Sequence, residues 1–394
     1  MSFSFLKNKL IVIPYNNPKS WIADYITQTA NVLSEKNIVI AFLWQDALSI
    51  KEIIARKLKS KESFRFIEKK DRIIYFRPIH FLPLRRLPLI ESLNLIINIY
   101  FLKIFISSKG FDKKKKILWL FHPDFWYLPK IFGKSYISYY DCVDYFSSKS
   151  QNAEIKIRRN EIKIIKNVQL MTTISKTLKK LYSNQKKNIY VVPQGFAVKD
   201  FQSYRKLPQG NFLLKLKRPI IGYVGGINER LQFPILINLA KKNPHWNFIF
   251  NGPIQNLYYH QFKSKLNQLK KLKNVYFQEF DKKDYIPSVI KQFDICLIPY
   301  DISQDFNRYC YPMKVFEYFY LGKPIISTPI EELKQFFPLI KIASDTNDFN
   351  KSIKEILKNG WPLNYARKQK ALALDNTWEK KIKKIDKILE QNDF

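Results

Sequence analysis

Lys314 and Glu317 stand three residues apart in Pro312-Met313-Lys314-Val315-Phe316-Glu317-Tyr318. Proline opens this segment and Gly322 closes it, so it reads as a helix with both charges in the first turn. A lysine there can meet a phosphate, and a carboxylate can accept from ribose hydroxyls. A blander alternative is also physical. The helix dipole alone favours glutamate at this end, and lysine is abundant throughout the chain.

The flanking elements say where these side chains would point. The apolar run Ile295–Ile298 comes before, ended by Pro299, and Ile325-Ile326 follows Pro324. Strand, polar loop with Arg308, helix and strand within about 35 residues suit a parallel βαβ unit. Its helix N-terminus faces the carboxyl edge of the sheet, where α/β proteins bind ligands. Two further turns should reach that edge. Gly225-Gly226-Ile227-Asn228 follows the apolar run Pro219–Val224, and Asn251-Gly252-Pro253 follows Trp246–Phe250. Glycines allow a backbone to approach a diphosphate closely. The first turn is neither the dinucleotide fingerprint nor a Walker loop, and both could be plain turns.

The first half has the same grammar. Lys9–Pro14, Ile38–Leu43, Ile73–Phe76, Ile117–Phe121, Tyr136–Tyr140, Leu170–Ile174 and Ile189–Pro193 read as strands, with a helix over Trp21–Ser34 and another over about 153–167. The expected class is α/β, doubly wound, in two halves. Asp141 and Asp144 lie just past a strand end, where a carboxylate could take a proton from an attacking hydroxyl. Asp144 could equally begin a turn or cap the next helix. His122 is a weaker base candidate at a similar edge. Lys199–Arg218 reads as a linker, so the domains are expected at 1–198 and 199–375. The last segment, about 363–389, is helical and basic, with Asn376 or Thr377 as a cap for its final part.

An apolar content of 46% with 15% aromatic residues in 394 residues excludes a disordered chain. Cys142, Cys296 and Cys310 have no paired spacing, which suits free thiols in a reducing, cytoplasmic setting. Lys7 and Lys9 precede an apolar run too short for a signal core. The formal charge is +35, and residues 1–200 hold 36 Lys/Arg against 15 Asp/Glu. Coding bias explains such an excess. So does a basic face toward lipid headgroups, lipid-linked phosphates or nucleic acid. No RNA or DNA motif is present, so a nucleic-acid partner is not expected.

Residues 77–106 stand apart. Pro78, Pro83 and Pro88 exclude a regular element before residue 88. Arg77, Arg85 and Arg86 alternate with Phe81, Leu82, Leu84, Leu87 and Leu89, and a helix is expected from Ile90 to Ser107. Arginines among large apolar side chains suit a contact with the surface of an anionic membrane. A loop that packs its apolar residues on the domain is the alternative.

Taken together, these motifs resemble the GT-B-fold bacterial glycosyltransferases of the group 1 (family 4-like) superfamily. The resemblance is carried by IGYVGGINE (221–229), FIFNGP (248–253), DICLIPY (294–300) and PMKVFEYFYLGKPIIST (312–328). In the first half it is carried by YYDCVDYF (139–146), TISKTL (173–178) and VVPQGFAVKDF (191–201). It implies two Rossmann-like domains facing across a cleft, with the final helix (about 376–394) crossing back onto the N-terminal domain. The C-terminal domain would bind a UDP- or GDP-type sugar as donor substrate, with no cofactor. A lipid-linked or glycan acceptor would sit on the N-terminal domain. Glu317 would bind the ribose and Lys314 the diphosphate. Gly225, Gly226, Asn251, Gly252, Pro253, Tyr300 and Met313 would line the nucleotide pocket. Without an Asp-x-Asp motif the reaction would need no metal, and leaving-group charge would fall to Lys314, Arg230 or Arg308. Two positions depart from the family pattern: Tyr309 stands where many relatives carry a glutamate, and Gln194-Gly195 replaces the usual Asn-Gly. A nucleotide-sugar epimerase of the same fold and a basic nucleic-acid-binding protein are the alternatives.

Overall fold

The computed structural model describes residues 4–14, 25–60, 65–84, 87–148, 150–255, 259–280 and 283–392. Among the described residues ten strands precede residue 192: β1 (Leu10–Pro14), β2 (Ile38–Phe42), β3 (Leu48–Ser49), β4 (Ile67–Lys70), β5 (Ile73–Phe76), β6 (Ile79–His80), β7 (Lys116–Leu120), β8 (Tyr136–Cys142), β9 (Leu170–Thr173) and β10 (Ile189–Val191). Eight of them form one sheet in the order β10-β9-β8-β7-β1-β2-β5-β4, parallel except at the β4–β5 edge. The other two, β3 and β6, pair as a short parallel ribbon. Strands β1, β7 and β8 are almost wholly buried, as expected of near-continuous apolar runs covered on both faces.

A second sheet is built after residue 219 from β11 (Ile220–Val224), β12 (Asn247–Asn251), β13 (Val275–Gln278), β14 (Ile295–Ile298), β15 (Ile325–Ser327) and β16 (Lys341–Ile342). Its order is β13-β12-β11-β14-β15-β16, all parallel. This is the dinucleotide-fold order, whose ligand crevice opens where the order reverses, between the first and fourth strands. Here these are β11 and β14, the strands that lead into Gly225-Gly226 and Tyr300.

Several boundaries differ from the reading of the sequence. Of the helix expected over Trp21–Ser34, residues 21–24 lie outside the described residues, and the helix is seen at Tyr25–Ser34. The helical segment expected near the end divides into Leu363–Leu374 and Trp378–Gln391, with the break at the expected cap. Thr377 caps the second by accepting from the Lys380 amide at 3.3 Å. Pro88 is the first residue of the Pro88–Ser108 helix rather than a barrier before it, because proline lacks only the N–H that this position leaves unpaired. The β3–β6 ribbon went unread, as two-residue strands carry no periodic signal. Arg85 and Arg86 fall outside the described residues.

The segment read as a linker is docked rather than free. Phe201 and Leu213 are buried, and Ser288 Oγ donates to the Arg205 carbonyl at 2.6 Å. Arg205 also pairs with Asp284 at 2.7 Å. The last helix returns to the first domain. Its buried face holds Trp378, Ile382, Ile385 and Leu389, and Asp386 accepts from the Ser4 amide at 2.8 Å and from that of Leu6. At the crossover, a Cβ on Gly195 would lie 2.5 Å from the Trp378 ring, so the two chain segments meet at a distance only glycine allows.

Candidate active site

The two glycine turns meet backbone to backbone. The Gly225 amide donates to the Asn251 carbonyl at 2.9 Å, and the Ile227 amide to Pro253 at 2.8 Å. Gly225 and Gly252 adopt φ of +135° and +143°. A Cβ on Gly252 would lie 2.3 Å from the Gly225 carbonyl oxygen. No L side chain fits there, so both expected turns share one edge and are tied to each other. The Asn251 side chain faces its own sheet, accepting from Gln278 Nε2 at 3.3 Å.

Lys314 lies against this edge. Its ammonium donates to the Tyr300 hydroxyl at 2.7 Å and to Tyr223 at 3.0 Å. A Cβ on Gly225 would lie 2.8 Å from Nζ. Tyr223 in turn donates to the Gly226 carbonyl at 3.0 Å. The helix carrying Lys314 spans only Lys314–Tyr320, so the point charge, more than a macrodipole, makes the edge attractive to an anion. Met313 immediately precedes it and packs against the core. One turn on, Glu317 is half-buried. Burial pushes its carboxyl up, while the Lys314 ammonium works to lower it. Among the described residues none donates a hydrogen bond to Glu317, so its oxygens can accept from a ligand.

Arg230 joins the cluster. Its guanidinium sits 4.7 Å from the Tyr300 ring centre and 3.9 Å from that of Phe306, and Nε donates to Asn307 at 2.9 Å. Lys314 Nζ is 4.8 Å from the same Tyr300 ring, so the two cations converge on one tyrosine. Arg308 does not converge. It is exposed, and its charge is taken by Asp305 at 3.3 Å on the same turn.

The opposite wall comes from the first domain. Asp144 follows β8, with its carboxylate accepting from the Tyr145 amide at 3.0 Å. Burial pushes its pKa from 3.8 up to about 6, with Arg230 across the cleft working to lower it. Asp141 is different. It is fully buried, accepts from Thr172 at 3.1 Å, and pairs with Lys381 of the last helix at 2.9 Å. A carboxylate sequestered in this way cannot take a proton from a substrate, so the base role considered for Asp141 is withdrawn. Lys381 also donates to Gln194 at 3.0 Å, which gives the Gln-Gly departure a structural partner. His122 uses Nδ1 to accept the Asp124 amide at 3.2 Å and caps a short turn. Its burial lowers its pKa, so a neutral ring carrying its proton on Nε2 results.

The domains also touch directly at the cleft. The Tyr309 ring packs 5.0 Å from Tyr145, which stacks under Arg158 at 4.0 Å. Ser175 donates to the Tyr309 carbonyl at 3.1 Å, and the Thr177 amide to Glu332 at 2.9 Å. Tyr309 is therefore an interdomain contact. Tyr223, Asn307, Lys381 and Glu332 were not singled out in the sequence. Tyr223 had one available signal, its place two residues before the glycine pair.

Residues 209–373 match the family model described as glycosyl transferases group 1, a span that holds every nucleotide-side residue named above. The chain is 25% identical over 292 residues to the Bacillus subtilis protein TuaH, named for a glycosyltransferase of teichuronic acid biosynthesis. That alignment covers 71% of this chain and 66% of the relative, just under two thirds of its length. Among solved structures, sucrose-phosphate synthase from Thermosynechococcus elongatus superposes with a TM-score of 0.70 at 13% identity, over 98% of this chain and 99% of that one. Anabaena HepE in complex with UDP and glucose superposes at 0.68 and 12%, over 97% and 99%. The chain has the GT-B fold of two Rossmann-like domains, and its second domain matches the group 1 glycosyl transferase model.

Proposed function

We infer that this protein is a glycosyltransferase. It moves a sugar from a UDP- or GDP-type donor to a glycan or lipid-linked acceptor of the cell envelope. The observation that carries the reading is the Lys314 ammonium, held by Tyr223 and Tyr300 against a glycine turn that has no room for a Cβ. Such a pocket suits a diphosphate. HepE, solved with UDP and glucose, supports the donor class, and TuaH supports the envelope acceptor.

In this reading the nucleotide lies across the β11–β14 crevice, with its ribose on Glu317. The acceptor hydroxyl attacks the anomeric carbon, and the bond from that carbon to the diphosphate oxygen breaks. Lys314 and Arg230 take up the charge that develops on the leaving diphosphate, so the reaction proceeds without a metal. In an inverting reaction Asp144 takes the acceptor proton; in a retaining one it positions the acceptor. Contacts such as Tyr145–Tyr309 close the cleft and exclude water.

A thermal-shift series with UDP, GDP and their sugars tests the donor class. Wild type should be stabilised by one of the two diphosphates with EDTA present. Lys314→Ala and Glu317→Ala should lose both that shift and sugar transfer while keeping the unliganded melting temperature within a few degrees. Unchanged transfer in both variants overturns the assignment.

A further inference from the structure

The Pro88–Ser108 helix is apolar on every side, a composition that normally marks a helix buried all round or set in a membrane. Here only about a third of it is buried. Its inner face is fixed by two buried asparagines acting as backbone clamps. Asn98 accepts the Ile79 amide and donates to the Ile79 carbonyl, both at 2.8 Å. Asn94 does the same to Leu82, at 2.9 and 3.1 Å. Leu95, Ile99, Leu102 and Ile106 continue that face into the core. Length and composition would allow the helix to span a bilayer. Spanning would break these four bonds and leave the partners unpaired in hydrocarbon, at several kcal/mol each.

The outer face is therefore defined, and it is apolar. Leu89, Leu93, Ile96, Tyr100 and Ile104 recur at helical spacing in one exposed row about 22 Å long. Leu89 is 72% exposed and Tyr100 64%, and Leu84 and Leu87 extend the patch at the N-terminal end. One monomer surface seldom leaves such a row uncovered without a use.

Charge decides what covers it. Residues 50–109 hold 14 Lys/Arg against 5 Asp/Glu, and Lys51, Lys103 and Lys109 are exposed in that segment. A second copy of this +35 chain would be repelled, whereas an anionic surface is attracted. An apolar row with Lys103 on the same helix and Lys109 at its end has the form of a helix lying in the headgroup plane. Position agrees. The β3–β6 ribbon that the asparagines grip follows the carboxyl ends of β2 and β5, the edge that also carries His122 and Asp144.

We propose that the outer face of the Pro88–Ser108 helix docks in the plane of an anionic phospholipid surface, bringing the acceptor edge of the first domain to lipid-linked substrate. The acceptor clause rests on the transfer reading above; the docking face does not. Docking is measured by co-sedimentation of the full chain with vesicles of phosphatidylcholine, alone or mixed with phosphatidylglycerol. Wild type should pellet with the mixed vesicles, less so at high salt, and poorly with phosphatidylcholine alone. The double variant Ile96→Glu/Tyr100→Glu changes only exposed positions and should bind at least ~10-fold more weakly. Its UDP or GDP thermal shift should match wild type; a wild type that fails to bind the mixed vesicles but keeps that shift sinks the docking alone. A wild type lacking any nucleotide shift sinks the transfer reading alone. Docking is overturned if wild type ignores the mixed vesicles, if the variant binds them equally, or if light scattering shows a dimer that the variant breaks.

Discussion

Lys381, on the last helix, holds Asp141, at the end of β8, at 2.9 Å with 1% and 0% of the two side chains exposed. The pair ties the last helix to the strand that leads into Asp144. Thr172 donates to Asp141 at 3.1 Å, and Lys381 donates to Gln194 at 3.0 Å. This arrangement makes Asp141 structural and leaves Asp144, three residues on, to face the cleft.

A buried charge that loses its partner is costly, so Lys381→Met should destabilise the protein by about 3–5 kcal/mol. Adding Asp141→Asn removes the stranded charge and should restore part of that loss. The double variant should also keep the nucleotide thermal shift. Urea unfolding of the single and double variants is the check, and a Lys381→Met protein as stable as wild type rejects the clamp.

Asp144 sets a pH dependence. With its folded pKa near 6, the carboxylate acts as a base only above that value, so kcat/KM should rise from pH 5 to 7. Asp144→Asn should remove that limb together with most of the activity. The stability effect has the opposite sign. The unfolded carboxyl ionises near 3.8 and the folded one near 6, so wild type loses stability as pH rises between them. Asp144→Asn should therefore melt higher than wild type at pH 7.5 and equally at pH 3. A pH-independent rate across 5 to 7 would remove the base role.

The glycine turns give a third test. Gly252→Ala places a methyl 2.3 Å from the Gly225 carbonyl at a φ of +143° and should lower the melting temperature. Gly225→Ala is also strained, at a φ of +135°, but meets the movable Lys314 Nζ at 2.8 Å instead of backbone, so it should lower the melting temperature less and add a loss of nucleotide binding. Calorimetric melting with and without UDP or GDP separates the two effects. Equal behaviour of the two variants would contradict the cradle.

Much of this protein is decided locally. Alternating apolar runs and helical spacings place most strands of both sheets, because a buried parallel strand needs little beyond continuous apolar side chains. The glycine turns and the Thr377 cap are legible for the same reason, since their residue types satisfy backbone demands within a few positions. Lys314 and Glu317 follow from one helical turn. Tertiary structure decides which charges find each other. Nothing near Asp141 announces Lys381, and nothing in their separate segments distinguishes Arg230, which converges on Tyr300, from Arg308, which pairs with its own neighbour. The Pro88–Ser108 helix makes the point most clearly. A helix apolar all round has no periodicity to orient it, so only the grip of Asn94 and Asn98 on residues 79–82 determines which row of side chains is left outside.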